Sequence, residues 1–103
     1  MKVYFIGAGP GDPELITLKG KKIINSADKI IYAGSLVNPE VISERKESSV
    51  VYDSAGMSLN EVISVIKESN SADIIARVHT GDPSIYGAIR EQIEILKEEG
   101  IEY

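Results

Sequence analysis

Four short apolar runs rich in β-branched residues constrain this chain more than any other feature. VYFIG (3–7), DKIIYA (28–33), SSVVYDS (48–54) and DIIARV (73–78) each have the length and composition of a strand. Between them the apolar residues recur three and four apart instead. LITLKGKKIINSAD carries Leu15, Leu18, Ile23 and Ile24 near helical spacing and predicts a helix from about Leu15 to Ser26, with Gly20 a weak point inside it. GSLVNPEV predicts a turn into a short helix. Ser58, with Glu61 three residues on, fits a capping box, and Leu59, Val62, Ile63 and Ile66 supply the apolar face of a helix reaching about Ser69. Ile85, Ile89, Ile93 and Leu96 stripe a last helix that stops at Gly100, and IEY then reads as the start of a fifth strand.

Strands that alternate with helices imply an α/β domain, a mostly parallel sheet flanked by helices, spanning residues 1–103. With 43% hydrophobic and 26% charged residues, the chain is balanced for one soluble domain with a modest core. It has no cysteine, which excludes disulfides, thiolate metal sites and cysteine nucleophiles, and its one histidine excludes a histidine-rich metal site; no metal is expected. A formal net charge of −5 disfavours nucleic acid, whose phosphates are held by clustered Lys and Arg. The apolar runs are far shorter than a membrane span, and Met1-Lys2-Val3 leads into a strand rather than a signal peptide, so a cytoplasmic protein with no membrane partner is expected.

In a parallel sheet, ligands bind outside the carboxyl ends of the strands, where this chain places its glycine loops. GAGPGDP (7–13) stands between a strand and a helix, the position of a phosphate-gripping turn. The dinucleotide fingerprint fails there: its sixth place is Asp12, which would repel a pyrophosphate, and the second strand ends at Ala33-Gly34 rather than at a ribose-binding acid. Taken singly, each loop has a structural explanation. Asp12 favours the dipole of the helix that follows, and in TGDPSIYG (80–87) Pro83 opens a helix that Asp82 or Ser84 helps to cap. Together, two Gly-Asp-Pro loops on one sheet put bare backbone and a carboxylate on the same rim. That arrangement suits a small ligand with a cationic or hydroxyl-bearing part better than a naked phosphate.

These segments also carry a resemblance. FIGAGPGDPELITLKG is similar to the first signature of the tetrapyrrole methylases, which move a methyl group from S-adenosylmethionine to a corrin or porphyrin precursor. YAGSLVNPE (32–40) and ARVHTGDPSIYGAIREQ (76–92) resemble one branch closely, the enzymes that methylate ring carbon 11 of precorrin-4 or cobalt-precorrin-4 in vitamin B12 synthesis. The resemblance implies the N-terminal half of a two-domain fold, with methyl donor and corrin substrate bound in the cleft between halves, usually in a homodimer. It carries over donor contacts at Pro10, Thr80, Gly81, Asp82 and Ile85. It also implies that the 103 residues by themselves bind the donor weakly and do no chemistry, for want of the second wall.

Methyl transfer is an in-line displacement whose barrier falls chiefly through alignment, so no strong acid or metal is required. A carboxylate at the sulfonium would stabilise the ground state, whose positive charge is lost during transfer; Asp82 is therefore expected at the donor's polar periphery. The uroporphyrinogen methylases of the family carry an Asp after the Tyr that ends the second strand. Here that position is Ala33, and the basic residue expected after the third strand gives way to Ser54 and Ala55, so a uroporphyrinogen activity is disfavoured and the motifs identify no proton acceptor.

His79, the single histidine, stands beside the second loop and is the weak catalytic candidate, against a hydrogen-bonded structural role. Asp53 reads more readily as a solvated turn carboxylate. Tyr32, Ser35 and Tyr86 could line a trough for a flat macrocycle, although core packing serves Tyr32 equally well. Arg77 and Arg90 could fork onto substrate carboxylates; inside a strand and on a helix face, each reads better as a packing or surface residue. KGKK (19–22) reads as a solvated helix face. Diphthine or ribosomal RNA methylation within the superfamily, and a noncatalytic dimerisation or docking domain outside it, are the alternatives, with a dinucleotide oxidoreductase a distant third.

Overall fold

The computed structural model describes residues 1–8, 17–32, 39–80 and 86–103. Its strands are β1 (Lys2–Ala8), β2 (Lys29–Tyr32), β3 (Val50–Asp53) and β4 (Ile74–Thr80), and its α-helices are α1 (Leu18–Ser26), α2 (Leu59–Lys67) and α3 (Tyr86–Glu98). Short 3-10 turns at Pro39–Ile42 and Ser54–Gly56 flank β3. All four strands pair in parallel in the order β1-β4-β2-β3. The expected fifth strand is present as a single parallel bridge, Lys2 with Glu102, on the other edge of β1, where Val3 N–H donates to the Glu102 carbonyl at 2.9 Å.

Helices cover both faces. On one, Ile24 and Ala27 at the end of α1, with Val41 and Ile42, pack against Ile6, Ile30, Ala76 and Val78. On the other, Val62, Ile63 and Ile66 of α2 and Leu96 of α3 pack against Val3, Ile31 and Ile75. β4 lies in the interior of the sheet, which is why Ile75, Ala76 and Val78 are all fully buried and why its sequence is apolar without strict alternation. Ile24, Ile30, Ile31, Ile66, Ile75, Leu96, Val3 and Val78 are the largest side chains wholly removed from water.

The helix ends follow from local chemistry. Thr17 caps α1, accepting from Gly20 N–H at 3.0 Å, and Ser58 caps α2, accepting from Glu61 N–H at 3.2 Å as the capping box predicts. α3 closes in a Schellman turn: Gly100 sits at φ 70°, Ile101 N–H donates to the Leu96 carbonyl at 2.9 Å and Gly100 N–H to the Lys97 carbonyl at 3.2 Å. In α1 the predicted face needs correction. Leu18 points outward, 71% exposed, and the helix turns Gly20, Ile23 and Ile24 inward instead. Glycine faces the core there while the neighbouring lysines stay in solvent. Leu15, the other residue of the predicted stripe, and Ile85 of the last stripe lie outside the described residues.

Candidate functional site

Topology places the site. β1 and β4 are immediate neighbours, and their register ends with Gly7 opposite His79 and Ala8 opposite Thr80. Adjacent strands lie about 4.8 Å apart, so Ala8 and Thr80, the last residues of β1 and β4, stand side by side at the carboxyl rim. From there the chain diverges. After β1 it crosses to α1 on the face of Ile6 and Val78; after β4 it crosses to α3 on the face of Val3 and Ile75. The order of connections reverses between the same two strands, because β2 lies on one side of β1 and Glu102 on the other. Helices that part to opposite faces leave a crevice above the strands they follow, the switch point at which open α/β sheets hold ligands. β4 extends two residues beyond the predicted run, so His79 and Thr80 belong to the strand rather than to the loop.

Of the predicted donor contacts, Thr80 is the last residue of β4, at this rim. Pro10, Gly81, Asp82 and Ile85 lie outside the described residues, as does Ser35. His79 is half-buried. A Cβ built on Gly7 would lie 3.7 Å from His79 Cε1, an ordinary contact, so the ring packs along bare β1 backbone on the side of the sheet that carries Arg77 and Phe5. Tyr32 ends β2 with its ring against the other core cluster, alongside Val51, as the packing reading has it. Asp53 accepts from Ala55 N–H at 2.9 Å and caps the turn Ser54–Gly56, an exposed turn carboxylate as expected.

The two arginines part company. Arg90 is a surface residue on α3, within 3.9 Å of Glu94 one turn on, both largely exposed. Arg77 is only 7% exposed, and burial pushes its guanidinium pKa down from the usual range. Its Nε donates to Gln92 Oε1 of α3 at 3.2 Å, and its Nη1 to the carbonyls of Ile31 and Val78 at 3.3 Å each. Reading the sequence as a pattern located Arg77 in a strand but gave no sign of Gln92. The available signal is spacing: Gln92 falls three residues after Ile89 and four before Leu96, and with Leu96 it shares the inward face of α3.

The rim thus presents bare backbone at Gly7, one imidazole, and the ends of two strands feeding acid-bearing loops. No lysine or arginine stands at the last position of β1, β2, β3 or β4. That charge distribution accommodates a cationic ligand. Among the described residues no group of three or more His, Cys, Asp and Glu is placed to hold a metal ion, and no helix is long and apolar enough to cross a membrane. A concavity of about 420 Å³ runs beside β1 and reaches the rim at Gly7, lined also by Tyr4, Ile6, Thr17, Lys19 and Ile23.

Comparison with known proteins agrees with this geometry. Residues 2–103 match the family Tetrapyrrole (Corrin/Porphyrin) Methylases. The chain is 57% identical over 102 residues to the cobalt-precorrin-4 C(11)-methyltransferase of Methanocaldococcus jannaschii, covering 98% of this chain and 39% of that protein. It is 48% identical over 104 residues to the precorrin-4 C(11)-methyltransferase of Pseudomonas aeruginosa, covering 100% of this chain and 41% of the relative. An X-ray structure of a cobalamin biosynthetic enzyme, a cobalt precorrin-4 methyltransferase, superposes with a TM-score of 0.86 at 48% identity, over 97% of this chain and 42% of that one. The chain therefore spans about two fifths of the length of these relatives.

Proposed function

The chain belongs to the tetrapyrrole (corrin/porphyrin) methylases, and from that premise we propose that it forms the methyl-donor wall of an S-adenosylmethionine-dependent C-methyltransferase acting on precorrin-4 or cobalt-precorrin-4 at ring carbon 11. One observation supports the reading: Ala8 and Thr80, the strand ends that precede the two signature segments in the sequence, are register partners at the point where the helices after β1 and β4 part to opposite faces. The names of the two relatives above, a cobalt-precorrin-4 and a precorrin-4 C(11)-methyltransferase, support the substrate class.

The donor contacts proposed are Pro10 in the first loop and Thr80, Gly81, Asp82 and Ile85 in the second. The donor supplies an electrophilic methyl carbon on a sulfonium; the protein's part is to bind, orient and exclude water. Backbone of Gly81 and the Asp82 carboxylate take the polar periphery, Ile85 gives apolar contact, and the absence of lysine and arginine from the described strand ends spares the sulfonium a repulsive neighbour. Alignment of ring carbon, methyl and sulfur then supplies most of the rate enhancement. His79, at the same rim, packs along Gly7 backbone, and a supporting role fits that contact better than proton relay. A homodimer in the cytoplasm completes the proposal.

A domain exchange tests it. The 103 residues replace the matching N-terminal part of the Methanocaldococcus jannaschii relative, and the hybrid is assayed for S-adenosylhomocysteine binding by calorimetry and for methylation of both precorrin-4 forms. The expected result is micromolar binding and methylation by the hybrid, with weak or absent binding by the 103-residue chain alone. A folded hybrid that neither binds the product analogue nor methylates either substrate overturns the proposal.

A further inference from the structure

Arg77 is the one buried cation among the described residues that none of the preceding roles uses, and its position gives it one. Its guanidinium lies beneath the carboxyl rim, three residues before the end of β4. It reaches three elements at once: β2 through the Ile31 carbonyl, β4 through the Val78 carbonyl, and α3 through Gln92, itself 4% exposed. All three acceptors are neutral oxygens, so the contact is held by the fork of N–H groups rather than by ion pairing. A lysine could not reproduce that geometry. Gln92 is the only one of the three acceptors on α3, and α3 is the element that resumes the chain after the five residues following Thr80.

We propose that Arg77 is a positioning residue for methyl-donor binding: clamped to Gln92, it holds α3 against β2 and β4 and so fixes where Tyr86, at the start of α3, stands relative to Thr80, at the end of β4. The inference rests on the proposed function for the ligand, but the clamp itself does not. A shift of about 1 Å at either residue is enough to spoil an alignment-dependent site by about 10²-fold.

Two readouts separate the clamp from the functional reading. The first is hydrogen–deuterium exchange of the 103-residue chain carrying Arg77→Lys, Gln92→Leu or Gln92→Glu. Exchange in residues 80–90 is expected to accelerate about tenfold or more in Arg77→Lys and Gln92→Leu, with β3 and α2 unchanged, and to stay near the parent rate in Gln92→Glu, which keeps an acceptor. The second is S-adenosylhomocysteine affinity in the hybrid described above. It is expected to fall about tenfold in Arg77→Lys and in Gln92→Leu, to fall no further in the double variant, and to stay within threefold in Gln92→Glu. Uniform acceleration across the sheet makes Arg77 a general core residue and overturns the proposal. So does unchanged affinity in variants of a hybrid that binds normally. A hybrid that fails to bind before any substitution refutes the functional reading instead, and local against uniform exchange still decides the clamp.

Discussion

The Ile74 N–H donates to Asp28 Oδ2 at 2.7 Å, tying the first residue of β4 to the residue just before β2. The other carboxylate oxygen, Oδ1, takes the Lys46 ammonium at 2.5 Å, and Asp28 main-chain groups bond Ile74 and Val50. One residue, through its carboxylate and its main chain, thus ties together the starts of three neighbouring parallel strands at the amino end of the sheet, opposite the candidate site. Parallel strands have no shared hairpin to fix their register, so it must be set by contacts such as these.

A pH dependence follows. The Lys46 hydrogen bond, and then the Ile74 N–H, hold the Asp28 carboxyl below its ordinary value of 3.8. A group whose folded pKa is depressed adds stability above its unfolded pKa and loses it as pH falls through the folded one. Asp28→Asn is therefore predicted to be less stable than the parent at pH 7 by roughly 1–2 kcal/mol, discounted for the partial exposure of the pair. The gap should close below pH 3.8, read from urea unfolding at a series of pH values. A gap that persists unchanged in acid would show that the charge contributes nothing.

Gly100→Ala isolates a conformational cost. At φ 70° an alanine is strained, while nothing lies within 4 Å of the added methyl. The expected loss is about 1 kcal/mol, with Gly100→Asn costing less. Equal stability of all three proteins by chemical unfolding would count against the Schellman turn.

Two residues of α1 should behave oppositely. Ile24→Ala removes a fully buried side chain from the layer between α1 and the sheet and is predicted to cost about 2–5 kcal/mol, a large part of the stability of a domain this size. Leu18→Ser, at a position 71% exposed, should change the stability of the 103-residue chain by no more than about 0.5 kcal/mol. A large loss at Leu18 would restore the face predicted from spacing.

Thr17→Ala tests the cap on the helix that leaves the rim. Losing the acceptor for Gly20 N–H is expected to cost about 1 kcal/mol, and Thr17→Ser to recover most of it. Thermal unfolding of the three proteins decides the point.

His79→Asn in the hybrid decides between two roles. The ring packs along Gly7 backbone and holds a further interaction within the fold. A supporting role predicts a fall in kcat of less than about tenfold, which is the expected result; a fall of about 10²-fold or more would make His79 the proton acceptor.

Much of the architecture was legible beforehand because it depends on neighbours in sequence. Ser58 three residues before Glu61, Gly100 after the Leu96 turn, and the β-branched runs each express a local preference, and all four strands and three helices stand where these place them to within a few residues. Leu18 shows the limit of spacing. Leucine and glycine differ by a whole side chain, but which of Leu18 and Gly20 faces the sheet depends on how closely the α1 backbone approaches it.

The sequence by itself determined the alternation of strands and helices, the parallel sheet this implies, and the motifs that mark the family. Only the tertiary structure decided that β4 inserts between β1 and β2, bringing Ala8 beside Thr80 and Arg77 beneath α3. Strand order is a matter of which apolar faces bury one another between residues as far apart in the chain as Ala8 and Thr80, and no local preference for strand or helix encodes a neighbour that distant.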